Sequence, residues 1–137
     1  MNIRFIVITQ KTPDYFEAAA KEYEKRLGRY CKIKTVKVKS PEKAAKAVDS
    51  RFPLILVRRD GDLISSEGLA DLISKAEVSG ISSVNLVCGE YRDEADNSPD
   101  RIFSISPVKM SSDLVSVVAL EQIYRAYKII SGEKYHK

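Results

Sequence analysis

The chain has 137 residues, 44% of them apolar and 31% charged, with a net charge of +4. That length suits one domain able to bury roughly two thirds of its unfolded surface, and the balance is that of a globular protein, not a disordered or fibrous one. The charge is uneven: residues 1–59 hold 15 Lys/Arg against 6 Asp/Glu, and residues 60–137 hold 8 against 13, so the basic front half suits an anionic partner such as nucleic acid. Asn2–Thr9 reads as a strand buried on both faces, since Ile3, Phe5, Ile6, Val7 and Ile8 are nearly continuous. Thr12-Pro13-Asp14 starts a helix, capped by Thr12 with proline in its first turn. Phe16, Ala19, Ala20, Tyr23 and Leu27 share one face of it, and Gly28 ends it.

Lys32–Lys39 alternates lysine with apolar residues, the pattern of a half-covered strand near a sheet edge. Ser40-Pro41-Glu42 opens a short helix through Val48. Pro53–Val57 is a second continuous apolar strand, followed by a turn at Asp60-Gly61-Asp62. Ser65 or Ser66 caps a helix carrying Leu69, Leu72, Ile73 and Ala76 and closed by Gly80. Val84–Cys88 is a third buried strand, and Ile102–Ser106 reads as a fourth, central one. A long helix with a wide apolar stripe runs from Ser112 to Ile130. Strands alternate with helices throughout, which predicts one α/β domain over residues 1–137 with a mainly parallel sheet covered on both faces.

The longest apolar runs, Phe5–Ile8, Leu54–Val57 and Val117–Leu120, fall well short of the ~18–20 residues of a membrane span. Met1-Asn2-Ile3-Arg4 lacks the apolar stretch of a secretory signal. Cys31 and Cys88 form no CxxC pair and suit a reducing cytoplasm; with a single histidine they leave no metal-ligand spacing. The dinucleotide, phosphate-loop, HExxH and GxSxG patterns are all missing from the sequence. The least regular stretch, Gly89–Asp100, follows a buried strand at its C-terminal end, where open α/β sheets bind ligands. Its carboxylates Glu90, Asp93, Glu94, Asp96 and Asp100 lack calcium-loop spacing and read as a solvated acidic loop. Glu121 and Arg125 stand one helical turn apart and read as a helix-surface ion pair.

The closing run Glu121-Gln122-Ile123-Tyr124-Arg125-Ala126-Tyr127-Lys128-Ile129-Ile130-Ser131-Gly132-Glu133-Lys134-Tyr135-His136 resembles the signature EQ-x-YRA-x-x-I-x-x-GE-x-YH of the RlmH family. These are SPOUT-superfamily methyltransferases of a large-subunit rRNA pseudouridine. The N-terminal strand, the helix with Tyr23-Glu24, the Ser65-Ser66-Glu67 helix start and Arg101–Ser106 are similar as well, so the resemblance spans the chain. It implies an α/β knot, a parallel sheet with a C-terminal trefoil knot, working in the cytoplasm as a homodimer. The implied cofactor is S-adenosylmethionine and the implied partner is ribosomal RNA of the large subunit, methylated at N3 of a pseudouridine; no metal and no membrane are implied.

Carried onto this chain, the resemblance places the cofactor on Val57, on Gly89, and on Ile105, Ser106, Pro107, Val108, Lys109 and Met110. Arg125, Tyr135 and His136 are the implied catalytic residues, His136 as a candidate general base. Lys21, Lys25, Arg26, Arg29, Lys34 and Lys37 are the implied RNA contacts. Three positions depart from the family pattern. Cys88-Gly89-Glu90-Tyr91-Arg92 stands for GG-P-x-G, Val108-Lys109-Met110-Ser111-Ser112 for M-T-F-x-H, and Arg58 for an aspartate. These departures leave a second reading, a catalytically silent SPOUT-fold homodimer that binds ribosomal RNA.

Overall fold

The computed structural model describes residues 1–91 and 98–135. The elements run β1 (Asn2–Ile8), α1 (Asp14–Leu27), β2 (Lys32–Val38), α2 (Pro41–Ala47), β3 (Leu54–Leu63), α3 (Ser66–Val78), β4 (Ser83–Cys88), β5 (Arg101–Ser104) and α4 (Ser112–Ile130). The sheet has the order β2-β1-β4-β3-β5, and every neighbouring pair is parallel. The expected parallel α/β architecture is present, with the lysine-rich β2 at one edge.

Period-two alternation sorts the strand residues onto two faces. Ile3, Phe5 and Val7 of β1 join Val57, Cys88, Leu120, Ile123 and Tyr124 beneath α1, α3 and α4. Ile6 and Ile8 join Leu54, Leu56, Val87 and Tyr91 on the other face, with Ala44 of α2. Burial on both sides explains why β1 and the first half of β3 read as unbroken apolar runs.

Three local expectations are corrected. Ile102–Ser106 is not central: β5 is four residues long, lies at the sheet edge and pairs only with β3, leaving Ile102 and Phe103 half-buried. Asp60-Gly61-Asp62 does not end its strand. β3 continues to Leu63 through a bulge in which Val57 and Asp62 both pair with Phe103. A Cβ on Gly61 would lie 2.7 Å from the Ile102 carbonyl, so only glycine allows β5 this close. Thr12 does not cap α1; Pro13 holds the cap position, and the Thr12 hydroxyl donates to Asp113 Oδ1 at 2.9 Å. Side-chain caps are found at the other three helices, from Ser40, Ser65 and Ser111.

Asn85 is a fully buried polar residue in the middle of β4. Its Oδ1 accepts from the Asp49 amide at 2.9 Å, and its Nδ2 donates to the carbonyls of Asp49, Phe52 and Pro53 at 2.8, 3.2 and 3.3 Å. One side chain therefore ties together the irregular backbone between α2 and β3, where the Asp49 and Pro53 carbonyls also accept from the Phe52 and Asn85 amides. Each group orphaned there costs about 1–3 kcal/mol. Asn85→Ala is expected to lower the unfolding free energy in urea by about 3 kcal/mol. A loss below about 1 kcal/mol would show that water replaces the amide.

Candidate active site

A cleft of about 720 Å³ opens where the first half of β3 ends and at the C-terminal ends of β4 and β5. Its walls are Val57–Asp60 after the first half of β3, Gly89–Tyr91 after β4, and the segment from Ile105 into the first turn of α4. Parallel strands deliver their carboxyl ends to one side, so loops far apart in sequence meet there. Of the residues implied to hold a cofactor, Val57, Gly89, Ile105, Ser106, Val108, Lys109 and Met110 line the cleft, whereas exposed Pro107 is not among its lining residues.

Gly89 has φ +126, and a Cβ there would meet Ile8 Cβ at 2.8 Å and Ser112 Oγ at 3.2 Å. Glycine thus allows β1, β4 and the start of α4 to converge behind the cleft. The third loop is braced internally: Ser104 Oγ donates to the Ser106 carbonyl at 3.0 Å, and Ser106 Oγ accepts from the Val108 amide at 3.1 Å. Arg58 grips Asp60 with Nε and Nη2 at 2.9 and 3.0 Å and donates to the Tyr91 carbonyl at 3.2 Å. This arginine holds the Asp60 carboxyl below the usual carboxylate range. Arg58 and Asp60 stand two apart on one strand, a spacing that puts them on one face, but the reach of Arg58 to Tyr91 comes only from folding. Glu90 is exposed at the mouth, while Arg92 and the acidic residues Asp93, Glu94 and Asp96 lie outside the described residues.

Both cysteines are buried, and burial pushes the Cys31 thiol up to about 11 and the Cys88 thiol up to about 12. Neither is poised as a nucleophile. Val57, Ile105, Val108, Met110 and Val115 give the cleft an apolar lining beside loop backbone. With its volume, that set fits a nucleoside-sized ligand whose flat ring lies against side chains and whose polar edge meets peptide groups.

A second cluster gathers where α1, α4 and the tail meet. Arg125 donates through Nε and Nη2 to Glu121 Oε1 at 3.0 and 2.8 Å, and its guanidinium lies 5.1 Å from the Tyr135 ring centre. Tyr135 meets Tyr124 edge-on at 5.0 Å, and its hydroxyl donates to Glu121 at 3.3 Å. Two of the three implied catalytic residues, Arg125 and Tyr135, are therefore together, and His136 lies outside the described residues. About 15 Å of helix axis separates Arg125 from Val115 in the cleft.

The six implied RNA-contacting cations are all exposed but do not share one face. Lys21 and Lys37 flank Glu17 at 3.8 and 3.9 Å in the groove between α1 and β2. Lys25 lies one turn beyond Lys21 on α1, and Arg29 follows the helix and reaches Glu133 at 3.7 Å. Arg26 pairs with Glu22 and covers Tyr23 and Tyr124. Lys34 lines a recess with Arg4 and Asn85 on the opposite face of the sheet.

The family model described as "Predicted SPOUT methyltransferase" matches residues 1–136. The "Ribosomal RNA large subunit methyltransferase H 1" of Thermoanaerobacter sp. (strain X514) is 36% identical over 137 residues, all of both chains. The "Ribosomal RNA large subunit methyltransferase H" of Clostridium novyi (strain NT) is 35% identical over 159 aligned positions, again all of both chains. The protein of that name from Thermotoga sp. (strain RQ2) is 30% identical over 152, covering 99% of each. The chain belongs to the RlmH family of SPOUT methyltransferases. The Clostridium alignment is longer than this chain and the Thermoanaerobacter one is not, so the compact form is shared by at least one RlmH relative.

In this RlmH chain the closing signature is a contact network. Glu133 accepts from Tyr30 Oη and Lys128 Nζ at 2.7 Å each and from Ser131 Oγ at 3.0 Å, tying the tail to α1 and α4. Beyond its place in the signature Glu133 carries no sequence signal, because its partners are brought in by folding. Lys128, then Tyr30 and Ser131, hold the Glu133 carboxyl down from the ordinary 4.5 to about 2. A depressed carboxylate contributes fully above its unfolded value and loses that contribution as pH falls through the folded one. The tail is therefore expected to stay anchored at pH 4.5 and to loosen toward pH 2, seen in the Tyr30 and Tyr135 ring signals by NMR. In Glu133→Gln that acid step should be gone. A wild-type midpoint near 4.5 would show that the anchor does not hold in solution.

Proposed function

We propose that this chain methylates large-subunit ribosomal RNA with S-adenosylmethionine, at N3 of a pseudouridine, as a homodimer whose C-terminal segment threads an α/β knot. The observation carrying the reading is the meeting of the bulged middle of β3 with the loops after β4 and β5 in one cleft of nucleoside size within a chain of this family. The relatives' names state the ribosomal RNA reaction, and they favour the enzyme over a silent RNA-binding dimer. Threading is supported by connectivity: β5 lies at the sheet edge, yet α4 returns across the cleft end to pack on α1, α3 and β1.

When bound, the cofactor supplies a methyl group on a sulfonium, already a good electrophile, so the protein's task is chiefly to position it. Val57, Ile105, Val108 and Met110 would flank the adenine ring, and backbone groups of the Gly89 and Ile105–Met110 loops would meet its polar edge. Lys109, Ser106 and Pro107 belong to the same loop. N3 of a uracil-type ring is weakly acidic, and transfer needs its proton removed or polarised. In this reading His136 takes that proton, Arg125 steadies charge developing on the base or a flanking phosphate, and Tyr135 and His136 pack over the ring. Lys21, Lys25, Arg26, Arg29, Lys34 and Lys37 neutralise phosphates, on more than one face of the subunit.

The 15 Å between cleft and tail cluster within one chain gives the second copy its role. Two α4 helices crossing antiparallel would carry the tail of one copy to the cleft of the other, so each site is composite.

Calorimetry is expected to show saturable S-adenosylmethionine binding at micromolar concentration. The protein should also transfer labelled methyl to large subunits from cells lacking the modification, with N3-methylpseudouridine as the mapped product. No binding at millimolar ligand would sink the enzymatic reading, and methyl found on another nucleotide would sink the base assignment. A separate test addresses the composite site. Met110→Glu in the cleft and Arg125→Ala in the tail should each abolish transfer, yet their co-expressed mixture should regain about a quarter of wild-type activity, the share expected from random pairing. No recovery would place cleft and tail of one site in the same chain.

A further inference from the structure

We propose that Glu121 is a positioning residue, its carboxylate setting the geometry of both Arg125 and Tyr135 toward the target base; this rests on the methyltransferase reading above. An exposed i,i+4 pair would contribute little, because two long side chains stay mobile in water. Glu121 is held differently. Its side chain is only 17% exposed. One oxygen, Oε1, receives Arg125 at 3.0 and 2.8 Å and the Tyr135 hydroxyl at 3.3 Å. The other, Oε2, accepts from Gln122 Nε2 at 2.6 Å. The Gln122 amide is fixed in turn by Ser66 Oγ, which donates to its Oε1 at 2.6 Å from the first residue of α3.

Both carboxylate oxygens are thus engaged, and the anchor reaches to a second helix. Arg125 comes from α4 and Tyr135 from the tail, and Glu121 is a point to which both bond. The guanidinium plane over the Tyr135 ring follows from that shared acceptor and from the edge contact with Tyr124. Groups facing Tyr135 are Tyr23 of α1 and Glu121, Tyr124 and Arg125 of α4. Burial raises the Tyr135 phenol above its ordinary value, with Tyr23 and Glu121 adding to the effect.

The test compares wild type with Glu121→Gln, which keeps the shape and removes the charge. Three quantities are read on the full-length protein: S-adenosylmethionine affinity by calorimetry, single-turnover methyl transfer on undermethylated large subunits, and titration of Tyr135 followed by its ring 13Cζ signal, assigned with Tyr135→Phe. Cofactor affinity should stay within about twofold, since Glu121 is not among the residues lining the cleft and bonds instead to Arg125, Tyr135 and Gln122, while the transfer rate should fall about tenfold or more. The Tyr135 titration should move down as the neighbouring negative charge is lost, burial and Tyr23 being unchanged. A variant as fast as wild type, or an unmoved Tyr135 titration, overturns the inference. Wild-type protein that transfers no methyl group sinks the methyltransferase reading itself. An active wild type beside an equally active variant sinks only the role of Glu121.

Discussion

The start of α4 is fixed against the carboxyl ends of β1 and β4, and the rest of the molecule is arranged by that junction. Asp113 is buried there and accepts from Thr9 and Thr12 at 2.9 Å each, binding the first turn of α4 to the β1–α1 connection. Gly89 closes the other side with no side chain between Ile8 and Ser112. The carboxylate near a helix N-terminus also suits the helix dipole. With this end fixed, the direction of α4 is set. So is the distance at which its far end presents Arg125 and the tail.

The two clusters along α4 differ in physical character. The cleft is walled by backbone and apolar side chains, and of its charged lining residues, Arg58, Arg59, Asp60, Glu90 and Lys109, Arg58 and Asp60 pair with each other. The far cluster is aromatic and ionic: Tyr30 stacks on Tyr127, Tyr124 meets Tyr135, and the cations Arg26, Arg125 and Lys128 lie against these rings. In the proposed reaction the nucleoside-sized cleft would hold the small donor and the cationic, π-rich surface would handle an RNA base.

Much of this was legible in the residues. Continuous apolar runs marked β1, β3 and β4 as doubly covered, and lysine alternation marked β2 as an edge. The tail signature marked the family, and the irregular stretch after a buried strand marked the cleft end. Less legible were features that depend on partners distant in sequence. The edge position of β5 follows from its pairing with β3 alone, although its residues look as apolar as a central strand's. Thr12 has the composition of a cap, but Asp113, 101 positions away, claims its hydroxyl.

The sequence by itself determined the parallel α/β architecture, the family and the short list of loops at the strand ends, because side-chain periodicity and a long specific motif are local properties. The Glu121–Arg125 pair was legible from its spacing, but only the tertiary structure decided what else holds each carboxylate. Glu121 reads as half of a surface ion pair, and Glu133 only as one residue of the closing signature. Their partners, Tyr135 and Gln122 for the first and Tyr30 and Lys128 for the second, come from different elements. Hydrogen-bond geometry exists only once chain segments have been brought within about 3 Å of each other, and no spacing along the chain encodes that approach.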